Sequence, residues 1–197
     1  EYGTLYSLQE LEDISAACRE RGLKLFVDGA RLAYSLASPA NDVSLADLAR
    51  LSDVFYIGGT KCGTLFGEAV VIPDGGSIRR FVTQMKQHGA LLAKGRLLGV
   101  QFEALFEDDL YLTLGAPGVA ATKRIREALI RAGYVVTMDS PTNLTFVALD
   151  QAGHERLSRK VRYGIWETLP DGRLLARFCT SWGTPEEDIK AFEAALA

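Results

Sequence analysis

The chain is poor in the residues that build cross-linked or metal-held folds. Its three cysteines, Cys18, Cys62 and Cys179, are odd in number and far apart. That argues against a disulfide framework or a cysteine metal cluster and predicts reduced thiols in a cytoplasmic protein. The two histidines, His88 and His154, lie far apart without metal-ligand spacing, and His154 reads as a surface residue. No apolar run nears the roughly 18 residues that cross a bilayer. No signal-peptide pattern is visible at the chain's start, and no membrane partner is expected. There is no basic block, RNA-binding signature or zinc-finger spacing. With a net charge of −3 and scattered cations, nucleic acid is not an expected partner. Internal repeats and low-complexity segments are also lacking.

What remains is an ordinary globular composition. Of 197 residues, 48% are hydrophobic and 24% charged, enough for one large domain or two small ones. Ser7-Leu8-Gln9-Glu10 is a capping box, and Leu8, Leu11, Ile14, Ala17 and Cys18 recur at helical spacing up to a stop at Gly22. Strands are predicted over 23–27, 54–57 and 69–72. Helical segments are predicted over 31–36, 45–51, 77–87 and a long stretch, 91–114, weakened at Gly95 and Gly99. This order predicts an α/β fold with a mainly parallel sheet and helical crossovers. Gly115-Ala116-Pro117-Gly118 marks the expected boundary between a domain at 1–115 and a small α+β domain at 116–197. In the latter, helices are predicted over 119–132, 153–160 and 185–196, and strands over 134–137, 144–149, 165–167 and 174–180, with antiparallel pairing expected. Thr184 is the expected N-cap of the last helix, with Pro185 at N1.

Two segments carry the chemistry. Phe26-Val27-Asp28-Gly29-Ala30-Arg31 delivers a carboxylate and a guanidinium at a strand's exit, and Tyr56-Ile57-Gly58-Gly59-Thr60-Lys61 delivers a lysine at the next. In open α/β sheets, ligands sit outside the carboxyl ends of strands. An acid and an amine at that edge suit pyridoxal phosphate: the lysine forms a Schiff base and the acid holds the pyridine nitrogen protonated. Alone, Asp28 would more often be an N-cap, Arg31 a surface ion pair, and Lys61 a solvated charge. The glycines on both sides of Lys61 suggest that something bulky approaches the backbone. Arg177, inside the apolar run Leu174–Thr180, needs a partner, and a substrate carboxylate would supply one bidentately. Alternation alone leaves open an outward-facing arginine. Arg173, beside Gly172, belongs to a turn. Lys86, His88, Lys94 and Arg96 form a basic cluster that could approach a phosphate, though a solvated helix face is the commoner outcome. Asn143 reads as a turn residue.

Asp28-Gly29-Ala30-Arg31, then Gly59-Thr60-Lys61, Phe66-Gly67-Glu68-Ala69-Val70-Val71 and Arg177-Phe178-Cys179-Thr180-Ser181 together resemble the low-specificity L-threonine aldolases. These are β-eliminating lyases of the aspartate-aminotransferase-like fold. The resemblance implies pyridoxal phosphate bound covalently to Lys61, Asp28 on the pyridine nitrogen, Arg31 near the ring hydroxyl, and Lys86 and Lys94 toward the phosphate. It implies Arg177 on the substrate carboxylate, and a homodimer or homotetramer. The implied reaction is aldol cleavage of threonine or allo-threonine to glycine and acetaldehyde. Another lyase, racemase or aminotransferase reaction on amino acids would use the same residues. In such enzymes a preceding segment supplies the phosphate-cradling turn and a ring-stacking residue. The chain therefore resembles their C-terminal portion, and a truncated, catalytically incomplete fragment is the remaining alternative. The stretch beginning Glu1-Tyr2-Gly3 lies where relatives carry a histidine near the substrate.

Overall fold

The computed structural model describes residues 2–197; Glu1, and with it the start of the stretch compared above with a histidine-bearing segment, lies outside them. The chain forms two compact units. The first comprises residues 6–36 and 42–113, and the second residues 2–5, 37–41 and 114–197. No helix among the described residues is long and apolar enough to cross a membrane.

The first unit opens with α1 (Leu8–Glu20), then β1 (Phe26–Val27), α2 (Leu32–Leu36), α3 (Leu45–Leu51), β2 (Val54–Gly58) and β3 (Glu68–Val71). It continues with α4 (Phe81–Gln87), α5 (Arg96–Phe106) and α6 (Leu110–Leu114), which runs into the second unit. Helix α1 starts at a complete capping box, Ser7 with Glu10, and α3 starts at another, Ser44 with Asp47. Gly22, at φ +63°, closes α1 in the left-handed region where a side chain is strained. The strands lie in the order β1-β2-β3. β1 and β2 are parallel, with the helices α2 and α3 between them in sequence, whereas β3 returns antiparallel to β2.

Two expected helices are shorter in the structure. Arg80 has φ 55°, so the helix expected from Ser77 begins only at Phe81. The stretch 91–114 is no single helix. Positive φ at Asp108 and Asp109, a conformation acids tolerate better than most residues, breaks it after Phe106. The break brings Tyr111 into a stack with Phe106, ring centroids 5.3 Å apart, and buries it completely.

The second unit contains α7 (Ala116–Arg131), β4 (Val135–Val136), β5 (Leu144–Leu149), α8 (Gln151–Ser158), β6 (Gly164–Thr168), β7 (Leu174–Cys179) and α9 (Glu186–Leu196). Pro117 lies in the first turn of α7, where a missing N–H costs nothing, so the Gly115–Gly118 segment starts that helix. Pro185 is the N-cap of α9, not its N1 residue, and Thr184 makes no cap; its hydroxyl instead accepts from Ser181 N at 2.8 Å. The four strands form an antiparallel sheet, β4-β5-β7-β6. Central β5 is buried along its whole length. One face of the sheet packs Val147, Ala176 and Phe178 against Ile125 and Leu129 of α7 and Ile189 of α9. Leu144, Phe146 and Leu175 form a separate cluster with Tyr2 and Trp166. Outside, Arg124 of α7 bonds Glu186 at 2.7 Å and Glu193 at 2.6 Å, tying α7 to α9.

Leu129→Ala, at a fully buried position, is expected to lower unfolding free energy by about 2–5 kcal/mol. Gly99→Ala adds a Cβ to α5 with nothing within 4 Å, and is expected to raise it by about 0.5–1 kcal/mol. Urea midpoints of the two variants, shifted in opposite directions, check both.

Candidate active site

β1 and β2 run parallel with Phe26 beside Val54 and Val27 beside Phe55, so the chain leaves both strands at one edge of the sheet. Asp28 follows β1 directly, and Gly59-Thr60-Lys61 follow β2. The two exits touch: Gly58 N donates to Gly29 O at 3.0 Å. A Cβ on Gly29 would collide with the Tyr56 carbonyl oxygen, and one on Gly58 with the carbonyl oxygens of Gly29 and Ala30. A Cβ on Gly59 would collide with the Gly67 carbonyl oxygen. The glycines before Lys61, expected to let something bulky approach the backbone, admit the chain's own backbone. Gly63, at φ +104°, serves the turn beyond.

Tyrosine hydroxyls fix this edge. Buried Tyr34 donates to Lys61 O at 2.7 Å, and buried Tyr111 donates to Gly58 O at 2.8 Å. Cys62 N closes the turn on Gly59 O at 2.8 Å, while its side chain is fully buried. The Lys61 side chain itself is exposed. Its backbone is anchored and its amine is presented outward.

Asp28 is held on one side only. Its Oδ1 accepts from Ala30 N at 3.0 Å and from the Tyr56 hydroxyl. Oδ2 has no hydrogen bond among the described residues. The Tyr56 hydroxyl does most to hold the Asp28 carboxyl below its ordinary value; partial desolvation opposes it, and the Ala30 N–H and the positive charge of Lys61 assist. Tyr56 is pushed up to about 12, first by burial and then by its bond to Asp28. At neutral pH the pair is therefore a carboxylate and a neutral donor, and Lys61 is close enough for its charge to act on the acid.

Arg31 is half-buried just beyond Asp28, and its charge acts on the Cys62 thiol. Lys94 is exposed in the turn before α5, and Lys86 is exposed in the last turn of α4. Neither forms a hydrogen bond or ion pair with Asp28 or Lys61 among the described residues. In the second unit Arg173 pairs with Asp171 at 2.7 Å in the β6–β7 turn. Arg177 lies between Phe146 of β5 and Gly164 of β6, with its guanidinium carbon 4.6 Å from the centre of the Trp166 ring. It is half-buried, and no acid pairs with it among the described residues. Asn143 is more than a turn residue: buried, it donates to Thr180 O at 2.7 Å and joins the start of β5 to the end of β7.

No motif or spacing in the sequence marks Tyr34, Tyr111 or Trp166. One signal marks Tyr56: a polar aromatic in an apolar strand needs a hydroxyl partner when it is partly buried. The acid at the neighbouring strand's exit is that partner.

The donors fit pyridoxal phosphate. An ionised carboxylate with one free oxygen can accept from a pyridinium N–H, and an exposed lysine on a fixed backbone can reach an aldehyde. The sequence matches the β-eliminating lyase family over residues 1–161. The chain belongs to that family. It is similar to the low-specificity L-threonine aldolase of Pseudomonas aeruginosa, 31% identical over 195 residues, covering 96% of this chain and 54% of that protein. The enzyme of the same name from Pseudomonas sp. is 30% identical over 201 residues, covering 100% and 56%. The solved structure of Leishmania major threonine aldolase superposes with a TM-score of 0.92 at 45% identity, covering 100% of this chain and 57% of that one. The chain thus spans a little over half the length of these relatives.

Tyr56→Phe removes the main influence on Asp28, so its carboxyl should titrate closer to the ordinary value of about 3.9; carboxyl-carbon NMR reads this directly. The native carboxyl is depressed, so the bond's stabilisation is complete above the unfolded value and is lost as pH falls through the lower folded one. The urea midpoint of Tyr56→Phe should therefore trail the parent's at neutral pH, with the gap narrowing in acid.

Proposed function

We propose that this chain carries the lysine, acid and arginine of a pyridoxal-phosphate-dependent aldolase that cleaves β-hydroxy-α-amino acids, threonine and allo-threonine, to glycine and an aldehyde. The observation that carries the reading is Asp28, ionised and fixed through Oδ1 with Oδ2 free, within electrostatic reach of Lys61 at the shared exit of two parallel strands. Likeness to the threonine aldolases supports the choice of reaction.

Lys61 would hold the cofactor covalently through its amine. Asp28 would keep a proton on the pyridine nitrogen, and Tyr56, as a neutral donor, would keep Asp28 ionised and oriented. Arg31 is assigned to the ring hydroxyl and Lys94 to the phosphate. When bound, the cofactor supplies an electron sink for the charge left at Cα as the Cα–Cβ bond breaks. Arg177 is assigned to the substrate α-carboxylate, for which its planar fork offers two parallel N–H donors. The same reading makes the protein a cytoplasmic homodimer or homotetramer.

Protein loaded with pyridoxal phosphate should convert L-threonine to glycine and acetaldehyde in equal amounts. Lys61→Ala should abolish both the products and the visible absorbance of the lysine-bound cofactor. A 2-oxo acid or D-threonine as the product would replace aldol cleavage by elimination, transamination or racemisation. An unchanged spectrum in Lys61→Ala would end the assignment of that lysine.

A further inference from the structure

Arg177 occupies an unusual position for a charged side chain. The sheet cluster beside it contains Leu144, Phe146, Leu175, Tyr2 and Trp166, all apolar or aromatic. One acid does reach this neighbourhood. The pairing of β6 with β7 shifts register between Ile165 and Glu167, so that Trp166 is the extra residue of a β-bulge. The bulge sets Trp166 and Glu167 together against Leu175. Glu167 is already engaged, accepting from the Tyr2 hydroxyl at 2.8 Å. Arg177 receives the ring and not the acid.

We infer that Trp166 is a positioning residue for Arg177: it holds the guanidinium by its ring face and leaves the N–H donors free for the carboxylate of an amino-acid substrate. This rests on the assignment of Arg177 made above. A ring attracts the cation through its quadrupole but presents no carboxylate oxygen to occupy the fork. A carboxylate at that place would neutralise Arg177 and compete with the ligand. The ring is itself braced, by edge contacts with Tyr2 and Phe146 at centroid distances of 6.1 Å each. A long side chain stacked in advance loses less rotamer freedom when the ligand arrives.

The role is in ground-state and transition-state binding alike, so it falls on KM rather than kcat. In protein loaded with pyridoxal phosphate, Trp166→Leu should raise KM for L-threonine by about 3- to 30-fold. Its kcat should stay within about twofold of the parent's. Trp166→Phe, which keeps a ring, should recover most of that KM. Arg177→Lys is the control, and loss of the bidentate fork should raise KM by about tenfold or more. A second readout needs no turnover. In a Trp182→Phe background, Trp166 emission is titrated with 3-hydroxybutyrate, which carries the carboxylate and β-hydroxyl of threonine but no amine. A saturable change, lost in Arg177→Lys, is expected. An unchanged KM in Trp166→Leu beside a raised one in Arg177→Lys overturns the inference and leaves the arginine's role standing. An unchanged KM in Arg177→Lys overturns both. Should Trp166→Leu fail to fold, the titration decides, and a flat emission overturns the inference.

Discussion

The exits of β1 and β2 lie backbone against backbone, with no room for a side chain at Gly29 or Gly58. Every chemical feature of that edge depends on this approach. It sets Asp28 where the Tyr56 hydroxyl can reach it, and it starts the turn that carries Lys61. Three tyrosines then secure the edge: Tyr34 on the Lys61 carbonyl, Tyr56 on Asp28, Tyr111 on the Gly58 carbonyl. The choice of donor matters. A phenolic hydroxyl fixes geometry without bringing charge, so the lysine and the aspartate keep their own fields intact. Arginine or lysine in those places would compete with Lys61 for Asp28 and neutralise the pair.

The second unit holds two of its arginines in different ways. Its sheet has an apolar side packed under α7 and α9, where Arg124 is saturated by Glu186 and Glu193. Arg177 has no such acids and has the Trp166 ring instead. Within one small sheet-and-helix unit, one arginine is saturated by acids and the other is stacked on an aromatic ring.

Much of this was legible because it is local. The capping box at Ser7 starts α1 where the serine and the acid three residues on predict, and the apolar run 144–149 is the buried central strand. Asp28 and Lys61 stand out because a charge ending an apolar run is a short-range pattern. What was not legible depends on partners distant in sequence. The break at Asp108 and Asp109 follows from burying Tyr111, whose hydroxyl bonds a carbonyl on β2. Residues 37–41 belong with the second unit, where the Ser38 hydroxyl bonds Pro141 O at 2.8 Å. The glycines before Lys61 announced a close approach correctly, but composition could not tell that the approaching group is backbone. The acid–tyrosine bond and the stacked arginine each join different strands, and no periodicity reports which residues of two strands become neighbours.

Cys62 follows Lys61 directly, yet its sulfur points inward toward the Ala30 carbonyl, and burial pushes the thiol up and keeps it protonated. A thiolate is the stronger nucleophile of the two side chains, but it is formed here only with difficulty. An electrophile arriving at the sheet edge consequently meets nitrogen and not sulfur. Chemoselectivity between adjacent residues is decided by which one the turn faces outward.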